Sequence, residues 1–176
     1  MATIYNSLWT ATGSFGLQSA YDMVRKAWRE HQRCLKAVSS DDRRDAAINC
    51  AITAWHLTDW IWAGMASGSA LRPEVADLLD VRGRRPTKDD FVKWAVRSCP
   101  ELAVCQSICT GSKHVACSNL EETRMAAPDP HERAPGCQLV ARIEIVDGAE
   151  VRDAIEVLSH VVDFWVRQAT NECVLL

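Results

Sequence analysis

The run Asp45 to Met65, DAAINCAITAWHLTDWIWAGM, constrains the fold more than any other stretch. At helical spacing Ile48, Ile52, Trp55 and Trp62 line one side, and Cys50, Ala54, Leu57 and Ile61 line another. A helix that is apolar around most of its girth belongs in the middle of a bundle. Asn49, Thr53 and His56 form its one polar line, at i, i+4 and i+7, with Asp59 one turn beyond His56. That line is the leading site candidate.

Helical patterns surround this segment. From Leu17 to Val38 an apolar set that includes Tyr21, Val24, Trp28, Leu35 and Val38 predicts an amphipathic helix. Arg25, Arg29 and Arg33 fall on its solvent side, and His31 continues the apolar stripe as a partly buried histidine needing a partner. Ser39 to Asp42 supply cap residues and first-turn acids for the central helix, so the first two helices form a hairpin. Pro73 opens a short helix to Asp80, and Thr87 with Asp90 forms a capping arrangement for Lys88 to Ser98. Pro100 restarts a helix that breaks at Gly111, leaving Lys113 and His114 at its end. Residues 115 to 138 read as a short strand followed by a mobile, proline-containing loop, and residues 1 to 15 as an arm packing Trp9 on the bundle. LVARIEIV with Asp147-Gly148 predicts a small β-hairpin near residues 139–151. Arg152 to Asn171 completes the pattern as a last helix. The expectation is a mainly α, single-domain bundle of about five helices over residues 1–176.

Composition narrows the function classes. A formal net charge of −3 provides no overall basic footprint, so a nucleic-acid contact would need a local patch. Arg82, Arg84 and Arg85 form the one compact basic run, in a Gly/Pro-flanked loop suited either to solvent or to RNA or another partner. No charged leader precedes an apolar run, and no stretch approaches the roughly 18 apolar residues of a membrane span. The sequence therefore reads as cytoplasmic, without membrane contact. Eight cysteines then fit a reducing compartment. Cys99, Cys105, Cys109, His114 and Cys117 cluster without a C-x2-C knuckle, which favours core packing over redox chemistry or metal, with His114 the one histidine base nearby in sequence, and no cofactor motif occurs.

His56 and Asp59 could form a carboxylate-oriented imidazole, with Lys113 and His114 brought alongside if the two helices pack; the plainer alternative is a buried network fixing bundle register. The central run Ala51 to Trp60 and the helix ending in Gly111 to His114, within an all-α hairpin, resemble the HEPN (higher eukaryote and prokaryote nucleotide-binding) domains of bacterial conflict systems. That resemblance implies a defence, toxin or prophage setting, action on RNA or, with its motif degenerate, a binding role, and a homodimer. Active members carry R-x4-6-H, and His114 has no arginine at that distance. Formal pairs exist at Arg25 to His31, split between polar and apolar faces, and at Arg124 to His131, interrupted by two prolines. Two other function classes stand beside this one. One is a non-enzymatic protein-binding module using tryptophan-rich surface and the basic loop. The other is a small-molecule or metal pocket built on His56, Asp59 and His114.

Overall fold

A computed structural model describes residues 16–66, 73–113, 122–127, 140–147 and 149–170. The expected arm over residues 1 to 15, His114 and the proline-rich part of the 115–138 segment lie outside the described residues. The described chain is mainly α: α1 (Ala20–Lys36), α2 (Ser40–Ala66), α3 (Pro73–Leu78), α4 (Lys88–Ser98), α5 (Leu102–Gly111) and α6 (Ala154–Thr170), with strands β1 (Glu122–Ala126), β2 (Arg142–Asp147) and β3 (Glu150–Asp153). The described residues hold six helices, in keeping with the expected bundle of about five, and the short helix expected from Pro73 is present as α3.

α2 is the axis. It packs against α1, α4, α5 and α6, which is why almost its whole girth is apolar. Cys50, Ala51, Ala54, Leu57 and Ile61 are all fully buried along it. Trp165 of α6 is also fully buried, and its indole Nε1 donates to the Ala54 carbonyl at 3.0 Å. A row of rings continues from it through Phe164, Trp94 and Phe91 to Trp62, with centroids 4.8 to 6.4 Å apart.

Local signals set the ends of these elements. Ser19 caps α1 in a capping box with Asp22, and Thr87 does the same for α4 with Asp90. The hydroxyl of Ser39 accepts from the Asp42 amide at 3.1 Å at the start of α2, whose first turn carries Asp41 and Asp42.

The sheet differs from expectation. The hairpin is present as β2 and β3, paired from Asp147↔Glu150 to Glu144↔Asp153, but β1 adds a third strand on the other side of β2. β1 belongs to the segment read as a short strand and loop, and its Arg124 lies opposite Glu144, with Nε 2.9 Å from the carboxylate. Ile143 and Ile145 are buried where β2 meets α6.

Candidate functional site

The polar line of α2 does not act as one unit. Asn49 is exposed, whereas Thr53 is 3% exposed and turned toward α1. Lys26 Nζ donates to Thr53 Oγ1 at 2.6 Å, and that hydroxyl donates in turn to the Asn49 carbonyl at 2.7 Å. The ammonium also lies 3.5 Å from Glu30, a buried carboxylate that receives Arg33 at 2.8 Å. A buried charge must be paired, and two cations on the same helix do so here. The Lys26, Glu30, Arg33 spacing of i, i+4 and i+7 was the available signal for this cluster.

His56 and Asp59 look in different directions. His56 is half-buried, with Nε2 3.7 Å from the Cys109 thiol on α5. Asp59 forms an ion pair with Lys88 at the start of α4. The two side chains share no hydrogen bond, so the expected carboxylate-oriented imidazole is absent. The carboxylate is instead engaged by the full charge of the Lys88 ammonium at the start of α4. Lys113 is exposed beyond the end of α5, one turn from Cys109.

A thiol beside an imidazole can serve a nucleophile and its base. Cys109 is only 3% exposed, however, and its thiol faces protein rather than solvent. In this arrangement the pair ties α2 to α5. The other described cysteines are buried and free. Burial pushes the thiols of Cys34 and Cys99 up to about 11 and that of Cys50 up to about 12, and it pushes Cys105 well above its ordinary value. Such thiols are small core hydrophobes rather than nucleophiles. Among the described residues no group of three His, Cys, Asp or Glu side chains is arranged to hold a metal ion.

His31 behaves as its position in α1 predicts. It is 8% exposed, with Nε2 2.8 Å from the Ser159 hydroxyl of α6. Burial lowers its pKa below the ordinary histidine value, against an opposing contribution from Asp163. Arg25 is exposed on another side of the same helix, so this R-x5-H pair does not converge.

The basic loop is partly neutralised. Arg84 makes a bidentate pair with Asp90, both contacts at 2.6 Å, and the same carboxylate caps α4 by accepting from the Thr87 amide. Arg82 lies 3.9 Å from Asp80, and Arg85 is exposed. Arg84 is thus a clamp on the α4 cap, leaving Arg82 and Arg85 as the outward cations of the loop.

A surface missed by the periodicity argument lies on α1. Tyr21, Trp28, Leu35 and Val38, assigned to the buried stripe, are 53%, 51%, 45% and 71% exposed. The buried face is already complete with Ala20, Met23, Val24, Ala27, His31 and Cys34, and the extra apolar residues overrun its edge. Tyr21, Trp28 and Leu35 recur every seven residues, a spacing that signals a seam of its own. Beside Tyr21 and Trp28 runs a groove of about 190 Å³ between α1 and α6, floored by Val24, Val166 and Ala169 and bordered by Arg25 and Arg29. No protein-family model, curated protein or solved structure matches this chain.

Proposed function

We propose that this chain is a non-enzymatic protein-binding module that docks its partner on the outer flank of α1. The observation carrying this reading is the heptad-spaced row Tyr21, Trp28 and Leu35, half exposed and continuous with an apolar groove. Single exposed apolar residues are ordinary, but an aligned row ending in a groove is the kind of patch interfaces are built on. Full burial of a side chain of this size contributes about 1.5–3 kcal/mol, and covering the exposed half of each supplies part of that toward the cost of association. The buried state of Cys109 and the separation of His56 from Asp59 support binding over catalysis. In the HEPN-like reading, this corresponds to the degenerate branch that binds rather than cleaves.

The test is reconstitution. A partner captured on the wild-type protein, identified and purified, is expected to bind it directly and to lose binding when Tyr21, Trp28 and Leu35 are all changed to Ser. Equal binding by the triple variant would refute the reading. So would RNA cleavage that disappears in His56→Ala while folding is retained.

A further inference from the structure

The groove on α1 carries more information than exposure alone, and what it says about the partner rests on the protein-binding reading above. We infer that the occupant is an acidic amphipathic helix, lying along α1 with its apolar face on Tyr21, Trp28 and Leu35 and its carboxylates on Arg25 and Arg29.

Charge supplies the first argument. The chain as a whole is acidic, with a formal net charge of −3, yet the described residues lining this groove include two arginines and no carboxylate. Arg25 and Arg29 are exposed, and among the described residues neither makes an ion pair, although Arg25 stands near enough to Asp22 to help hold its carboxyl below the ordinary value. The acids of α1 are already committed. Asp22 closes the capping box with Ser19, and Glu30 is buried between Lys26 and Arg33. The local sign of the groove is therefore opposite to that of the molecule, and its complement is negative.

Spacing supplies the second. Tyr21 to Leu35 spans about 21 Å along the helix, the length of four turns. Arg25 and Arg29 are one turn apart on one side of that row, a register that meets carboxylates set at i and i+4 on a partner helix. A groove between two helices, with aliphatic Val24, Val166 and Ala169 at its floor, accepts side chains from a third helix in the same way. That floor has no hydrogen-bonding group to read a base edge, so a nucleic acid could use only the arginines and the two rings. A second copy of this chain fits less well. It would bring the arginines of one α1 against those of the other, with no free carboxylate from either helix between them.

Binding of labelled peptides to the intact chain by fluorescence anisotropy tests this. The probes are a helical peptide of Leu and Glu in heptads, its counterpart with Lys in place of Glu, and a uridine oligonucleotide. The Glu peptide is expected to bind at least about tenfold tighter than the Lys peptide at low salt, with the advantage shrinking as salt rises. Arg25→Glu with Arg29→Glu should reverse that preference, and Trp28→Ala should weaken the Glu peptide about tenfold or more. Arg25 and Arg29 are exposed and Trp28 is half exposed, so cooperative unfolding well above the assay temperature verifies that folding is intact. Equal or stronger binding of the Lys peptide, still dependent on Trp28, would overturn the acidic partner while leaving the protein-binding reading standing. Preferential, arginine-dependent binding of the oligonucleotide would make the surface a nucleic-acid site and overturn both. A Trp28-dependent dimer in sedimentation would assign the groove to a second copy instead. Absence of Trp28-dependent binding by any of the peptides would likewise overturn the proposal.

Discussion

His31 and Asp90 answer to acid in separate windows. Burial lowers the His31 pKa, so the fold favours the neutral ring. Its contribution is complete above the ordinary value of 6.5 and declines as pH falls below it, because the unfolded chain takes up the proton first. A urea-unfolding series across that range should show stability falling with pH, and His31→Gln should flatten the slope. The Arg84 hydrogen bond, joined by those of Thr87, depresses the Asp90 carboxyl. Stability from that pair persists through neutral pH and is lost only as pH drops below the ordinary carboxyl value of 3.8. Thr53→Val should cost about 1–3 kcal/mol by chemical denaturation, since the Lys26 ammonium loses its short hydroxyl acceptor and keeps only the more distant Glu30. His56→Ala should cost about 1 kcal/mol, less than Thr53→Val, because its partner is a thiol at 3.7 Å rather than a charge.

Among the elements, two tryptophans make opposite predictions. Trp165→Ala should destabilise by about 3–5 kcal/mol, since it empties a fully buried ring site and removes the donor to Ala54. Trp28→Ala should cost only about 1–1.5 kcal/mol, because half of the ring is already in solvent. Paired thermal-unfolding measurements check both. α1 also marks where sequence reading stops. Periodicity gave its extent and the partnered burial of His31, because both depend on neighbours along the helix. It placed Tyr21, Trp28 and Leu35 inside, because a period defines an arc and not the width that neighbouring helices cover. α4 was legible at both ends, its capping box being written within four residues. His56 and Asp59 were placed on the right helix and both do reach across to other helices, but the choice of Cys109 and Lys88 as partners depends on helix packing that no local pattern encodes. β1 is similar: its strand character was visible locally, while its pairing with β2 depends on a long-range contact.

The whole molecule is a helical assembly with a small antiparallel sheet at its side, and a circular dichroism spectrum should be dominated by helix. Its closure is long-range. The Trp165 indole reaches a carbonyl 111 residues earlier in the chain, and α6 also covers α1 and the inner side of the sheet. During synthesis on the ribosome, α1 and α2 emerge long before their lid. The α1–α2 hairpin can form early from local contacts, but the stretch of α2 around Ala54 that Trp165 covers remains open to water until α6 has been made. A nascent chain paused ahead of residue 154 is thus a sticky intermediate rather than a small version of the finished fold, and it is the form most in need of a chaperone.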